Sequence, residues 1–457
     1  MLPVTDSPKE IRPSPVEGAG MGRAIWRIGW PVMLMNALWT ALTIVDMFWV
    51  GRLGHVAVAA VAMGGTMLGV LFSLGQTFAT ATLALAARAT GAGDREMLLG
   101  SLRHTLIPAL ACGALLAAIG IPLAAPLLRL LRAAPEVVST GTPYLVVLFA
   151  QLPGYYAGMV VYSLFQAMGD TRTPMYVIVG ANLLNIALDP LLIMGWGFVP
   201  GFGVLGAALA TAASHLLGFG VMAVILGRRG LLKLGGKLER QKLATVFRVG
   251  IPAGLHGVTR PLTGTLMFGI VNGFGSVATA AFGIGMRILQ VMWIYLGGLG
   301  AAGEALVGQS LGRKDPDTAR RIANRVTVIA LLLQAAVMPV LFVLAPHVIR
   351  VFNANPEVVR YGTSYLRLLT PVLLVLGASM GWAAAQRGAG DTRPQMIAAL
   401  VSNWAVKLPL AWLLATWTGF GLTGVWIGIG ASIVVETGML GIWYRRGGWQ
   451  RKELRWA

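Results

Sequence analysis

The sequence is short of charge, cysteine and histidine, and each shortage excludes a class of protein. Only 12% of its residues are charged, about half the share of a soluble globular domain. With 56% hydrophobic residues and a mean hydropathy of +0.73, that leaves a polytopic membrane protein. The single cysteine, Cys112, excludes a disulfide framework and a cysteine metal cluster. The five histidines are scattered, with no metal-ligand spacing. No phosphate-binding P-loop occurs, which argues against a built-in ATPase. Gly201-Phe202-Gly203-Val204-Leu205-Gly206 matches a dinucleotide fingerprint in form only. It lacks the preceding strand and leads into an apolar helix, so it is rejected.

What is abundant is apolar sequence, glycine and basic charge. The 60 glycines suit close helix packing in a bilayer. The net charge of +19 suggests nucleic acid at first sight, but nucleic-acid binders cluster their basic residues on one face or tail. Here the basic residues alternate between loops, so the lipid bilayer is the expected partner and nucleic acid is not.

A spanning helix needs roughly 20 apolar residues. Twelve spans are expected, at 26–50, 57–87, 101–128, 138–167, 175–195, 204–227, 247–271, 278–309, 322–346, 359–386, 395–415 and 421–444. The first is too long for a signal-peptide core and is read as a retained span. Residues 1–22 read as a disordered cytoplasmic lead and 446–457 as a cytoplasmic tail. Between them lie a first lobe, 23–227, a basic cytoplasmic linker, 228–246, and a second lobe, 247–445. Arg and Lys fall heavily on one side, including Arg88, Arg95, Arg172, the cluster from Arg228 to Arg248, Arg313, Arg387 and Arg393. By the positive-inside rule that side is cytoplasmic and holds both termini, in a cell inner (plasma) membrane.

The halves align at a constant offset of 221 residues. Gly29 matches Gly250, Gly91 matches Gly312, Pro135-Glu136-Val137-Val138 matches Pro356-Glu357-Val358-Val359, and Gly169-Asp170-Thr171-Arg172 matches Gly390-Asp391-Thr392-Arg393. The register slips by three near residue 200. This is an internal duplication. Six spans per half make the repeats parallel, as in transporters whose substrate sites lie between two halves. The fold class is all-α, with twelve transmembrane helices in two parallel six-helix repeats.

Against this background a few polar residues stand out. Asp46 ends a stripe of Asn36, Thr40 and Thr43 on the first span; Asn182, Asn185 and Asp189 share one face of the fifth. Both acids fall near the outer ends of their spans, at similar depth. A carboxylate within an apolar helix is expensive and by default marks function; two together suit an ion or proton site. The bland reading is helix pairing or capping near Pro190. The second half replaces Asp46 by Met267 and Asp189 by Leu410, and instead carries Arg260, Glu304, Asn403 and Lys407. Together with Asn36, Thr40 and Thr43 these are candidates for a substrate cavity, with an ion pair between Glu304 and Lys407 as the structural alternative. Arg287 is expected at a helix-end carbonyl or a lipid headgroup. The two Gly-Asp-Thr-Arg turns read as helix caps. Met33, Met35, Met63, Met67, Trp39 and Trp404 either line an adaptable apolar cavity or pack ordinary helices.

These motifs together resemble the MATE (multidrug and toxic compound extrusion) transporters, in their prokaryotic DinF-like branch. The points of match are Val45-Asp46-Met47, Ala89-Thr90-Gly91-Ala92-Gly93-Asp94, Gly169 to Pro174, Asn185 to Pro190, Gly206 to Thr211 and Ala281 to Arg287. The resemblance implies two lobes around a V-shaped cavity and export of small amphipathic, often cationic, organic compounds against protons or sodium ions. It implies a coupling site, Na+ included, at Asp46, Asn185, Asp189, the Ala207 carbonyl and Thr211, with Asn182 beside them. No cofactor beyond the coupling ion and no enzymatic activity are expected, and the chain is expected to act as a monomer. The alternatives are a lipid-linked saccharide flippase, which calls for a strongly cationic cavity, and an intramembrane lipid-modifying enzyme, which calls for a His/Asp or Ser/His cluster.

Overall fold

The computed structural model describes residues 20–195, 200–454 and 456. Among these the chain is helical, with no strand. The first half comprises α1 (Gly20–Gly51), α2 (His55–Ala92), α3 (Arg95–Leu130), α4 (Pro135–Ala150), α5 (Leu152–Ala167), α6 (Arg172–Met194) and α7 (Val204–Arg228). The second comprises α8 (Arg240–Asn272), α9 (Ser276–Gln290), α10 (Met292–Gly312), α11 (Pro316–Phe352), α12 (Pro356–Gly388), α13 (Arg393–Leu400), α14 (Leu408–Thr416) and α15 (Gly421–Arg445). A π-helical segment, Val401–Lys407, joins α13 to α14.

Among the described residues ten helical segments, with α9–α10 and α13–α14 each counted as one, are long and apolar enough to cross a membrane, eleven with the bent pair α4–α5. The remaining expected span is α8, made less apolar by Arg240, Lys242, Arg248 and Arg260. The multi-span, all-helical architecture is therefore as expected, with local differences. The span at 138–167 bends by 45° between Ala150 and Leu152, where Pro153 removes a backbone donor. The span at 278–309 breaks at Val291, and the one at 395–415 contains the π segment. The helix begins at Arg240 inside the expected linker, behind Glu239 at its N-cap position, because a charged first turn is compatible with helix but invisible to hydropathy. Of the expected disordered lead, residues 1–19 lie outside the described residues, and 20–22 already belong to α1. The tail forms a short 3₁₀ turn, Gly448–Arg451, and folds back, with Trp456 packed against Ala81, Ala84 and Leu85 of α2.

The duplication is visible as paired contacts across a pseudo-two-fold axis. Gly91 lies against the Gln309 carbonyl, and its repeat mate Gly312 against the carbonyl of Arg88, the mate of Gln309. Gly29 approaches the Gly298 carbonyl as Gly250 approaches that of Thr77. The Asn36 side chain donates to the Ile294 carbonyl at 3.4 Å, and Gly257 meets Ser73 in the mirrored place. The Thr171 hydroxyl donates to the Ile28 carbonyl at 2.9 Å, and the Thr392 hydroxyl to that of Val249 at 2.5 Å. The caps repeat as well: Asp94 accepts from the Met97 N–H at 2.8 Å and Asp315 from the Thr318 N–H at 2.9 Å. Hydrogen bonds from the Thr318 side chain and N–H hold the Asp315 carboxyl below its ordinary range.

These contacts run from the Ala92 and Gly312 ends of α2 and α10 up to the level of Asn36 and Ser73. Beyond it, a Cβ on Gly65 or Gly69 of α2, or on Gly264 or Gly269 of α8, would meet nothing within 4 Å. The halves thus touch through one end of the molecule and part toward the other.

Candidate functional site

The first-half acids converge from helices that hydropathy alone cannot place side by side. Asp46 is partly exposed on α1, whereas Asn185 and Asp189 are fully buried on α6, four residues apart and so on one face. The Asp46 and Asp189 carboxyls are close enough to share a hydrogen bond. With its amide oriented to satisfy both ends, Asn185 donates to Asp46 Oδ1 at 3.1 Å and accepts from the Thr211 N–H of α7 at 3.1 Å. The Thr211 hydroxyl donates to the Ala207 carbonyl at 3.0 Å. Gly206 lets α7 lie against the Leu192 carbonyl, with no room for a side chain; this close approach brings Ala207 and Thr211 to α6. Val50, Ala57, Ile193, Val204 and Ala207 form an apolar cluster beside it.

The group is rich in oxygen acceptors and poor in donors. Asp189 Oδ1 has no hydrogen-bond partner, and neither has Asn182 Nδ2 about two turns away. An orphaned carboxylate oxygen in a buried site calls for a proton or a cation. The oxygens of Asp46, Asn185, Asp189 and Thr211 have the hard-donor character suited to either. The Thr40 and Thr43 hydroxyls donate to the Asn36 and Trp39 carbonyls of their own helix at 3.0 Å each.

The second-half charges assemble differently from the expected Glu304–Lys407 pair. Glu304 on α10 pairs with Arg387 on α12, whose Nε lies at 2.6 Å. The expected apolar span ends at residue 386, but α12 continues to Gly388 and so carries Arg387 within the helix. Lys407 instead bonds Asn403 Oδ1 at 3.0 Å and Thr263 Oγ1 at 3.4 Å. Arg260 pairs with Glu436 of α15 at 3.0 Å and lies over the Trp293 ring. Glu436 also accepts from the Ser402 hydroxyl at 3.2 Å and faces His256 at 3.9 Å. Arg287 is exposed at the end of α9. Of the aromatic and methionine candidates, Trp39 and Trp404 are exposed, Met35 is core, and Met33, Met63 and Met67 pack at the core edge.

Sequence reasoning missed Glu436, His256 and His215. Glu436 carries the same signal as Asp189, a carboxylate in an apolar run. His215 stacks on Trp39, its ring centroid 5.7 Å away, a contact no spacing rule discloses.

The MatE family model matches residues 31–191 and 252–413, one stretch in each half. The probable multidrug resistance protein YoeA of Bacillus subtilis is 26% identical over 432 residues, covering 93% of both chains. The probable multidrug resistance protein NorM of Bradyrhizobium diazoefficiens is 29% identical over 445 residues, covering 92% of each. Among solved structures, a MATE protein in complex with MaL6 superimposes with a TM-score of 0.88 at 25% identity, over 98% of this chain and 100% of that one. The outward-facing conformation of a multidrug resistance MATE family transporter gives 0.87 at 25% identity, over 95% and 97%.

Proposed function

Because the chain belongs to the MatE family, we propose that it is a secondary active exporter of amphipathic, often cationic, organic compounds, driven by exchange against protons or sodium ions. The relatives named as multidrug resistance proteins support the export of varied compounds. The observation that carries the coupling is the buried Asp189 Oδ1, left without a partner beside Asp46. A proton or sodium ion bound there satisfies that oxygen and offsets like-charge repulsion. The two acids and Thr211 sit on three different helices, α1, α6 and α7, so occupancy favours one relative arrangement of those helices over another. A ligand shifts such an equilibrium by its differential affinity for the two states. In this reading the open end of the cleft faces outward, both termini face the cytoplasm, and the membrane is the plasma membrane, consistent with the Arg/Lys pattern and the resemblance to an outward-facing transporter.

Reconstituted vesicles test it. An imposed proton or sodium gradient is expected to drive accumulation of an amphipathic dye such as ethidium at least tenfold over vesicles with no gradient. Equal dye movement with and without both gradients, at equal protein density, would remove the proposal.

A further inference from the structure

The first, fifth and sixth spans of each half correspond: α1, α6 and α7 in the first, and α8, the π-interrupted span and α15 in the second. The first half places its acids on these helices. The second half places a cationic group on the same three. At the constant offset, Arg260 stands where Trp39 does, Asn403 where Asn182 does and Lys407 where Ile186 does; Glu436, in the slipped register, stands where Gly218 does. In the first half that depth holds an aromatic stack of Trp39, His215, Phe219 and Tyr155. In the second half the same depth is ionic.

That ionic group is not closed upon itself. An ammonium has three N–H donors, and Lys407 has two neutral acceptors, Asn403 Oδ1 and Thr263 Oγ1, and no carboxylate within ion-pair distance among the described residues. Glu436 is already shared by Arg260, Ser402 and His256. With Lys407 and Arg260 positive and Glu436 negative, the group has an excess cation inside a membrane span, a costly arrangement unless it faces water or meets an anion. A π-helical segment, a form that recurs at functional sites, presents Asn403 and Lys407.

The group also reaches the cleft. Gly257 is the point where α8 still touches Ser73 of α2, and Arg260 is the next residue on that face, with 38% of its side chain exposed. Its guanidinium lies 4.9 Å from the ring centroid of Trp293, next to Ile294, where Asn36 makes the contact between halves. Trp39, 46% exposed, is one turn beyond Asn36. The cationic group therefore lies at the cleft floor, with Trp293 against Arg260 and Trp39, the repeat mate of Arg260, on the facing half. Asp46 lies seven residues further along α1 than Trp39, about 10 Å.

We propose that Lys407 and Arg260 bind the acidic group of an amphipathic aromatic compound in the cleft, so that aromatic carboxylates, including zwitterions, are ligands alongside cations. The carboxylate takes the free Lys407 N–H and an outer edge of the Arg260 guanidinium, and the ring lies between Trp293 and Trp39. The inference rests on the export reading only in treating the cleft as the substrate path.

Equilibrium binding in nanodiscs, with no gradient, tests it separately from coupling. The probes are 1-naphthylacetate and its neutral amide, 1-naphthylacetamide, followed by quenching of tryptophan fluorescence. The expected result is at least a tenfold preference for the acid over the amide. Lys407→Gln should bring that ratio to within about twofold of one, and Lys407→Arg, which keeps the charge, should retain it. Should Lys407→Gln not fold, Arg260→Gln is expected to lower the same ratio. A wild-type protein that binds amide as tightly as acid, binds neither, or keeps its acid preference in the Gln variants overturns the proposal. Failure of gradient-driven exchange with the acid preference intact would instead count against the coupling reading alone.

Discussion

Asp189→Asn is expected to reduce gradient-driven export at least 100-fold, with Asp46→Asn close behind, while both proteins still insert and fold. The substitution keeps side-chain volume and removes the charge and the exchangeable proton. Asp189 is fully buried with one oxygen unpartnered, so an amide there also satisfies a site that otherwise needs an ion. Such a variant is held in the arrangement that ion occupancy favours and has no means of leaving it. The two single losses should not add, because the carboxyls act as a unit. Asn185→Ala is expected to be milder, since it removes a ligand that positions Asp46 and Thr211 and leaves both acids in place. Dye transport in vesicles at matched protein density reads all three. Full coupled transport in both Asp→Asn variants would exclude this site as the coupling point.

The second large effect is mechanical. Gly312→Leu is expected to abolish closure at the end where the halves touch, because a Cβ there meets the Arg88 carbonyl, backbone that cannot rotate away. Gly91→Leu should do the same from the symmetric position, against the Gln309 carbonyl. Overpacking of this kind costs about 1–3 kcal/mol, which shifts a two-state equilibrium by roughly 5- to 150-fold. Spin labels at Glu96 and Asp317, exposed repeat mates at that end, should report a larger separation in either variant. Gly180→Ala, with no atom within 4 Å of the added Cβ, should leave it unchanged. An unaltered distance in both Leu variants would mean that the glycine contacts do not set the closed end.

The two effects divide the molecule as the sequence divides. Apart from Asn182 and Asn403, a repeated pair that lies in both sites, what is repeated at the 221-residue offset is scaffold: the glycine contacts, the Asp94 and Asp315 caps, and the Thr171 and Thr392 hydroxyls that dock each Gly-Asp-Thr-Arg turn onto the first span of its half. The unrepeated polar residues make the sites. This is why so much was legible without coordinates: spans follow from hydropathy, the axis from self-similarity, and Asp46 and Asp189 from the expense of a carboxylate in an apolar helix. What remained hidden is lateral. Glu304 meets Arg387 and not Lys407 because α10 packs on α12, and α12 runs two residues past its apolar stretch. The Arg260–Glu436 pair joins α8 to α15 across 176 residues, a distance over which no sequence period carries information. The π segment has no breaker of its own except Pro409 just beyond it, so its span reads as an ordinary helix.

The central claim is that ion occupancy at Asp46 and Asp189 sets which way the cleft opens. Spin labels at His55 and Ser276, exposed repeat mates at the open end, in a background with Cys112→Ala, measure the opening directly in nanodiscs. The wild-type distance distribution should shift between two populations as protons or sodium ions are titrated, and Asp189→Asn should show one population at every ion concentration. An ion-dependent shift of the same size in Asp189→Asn would contradict the account.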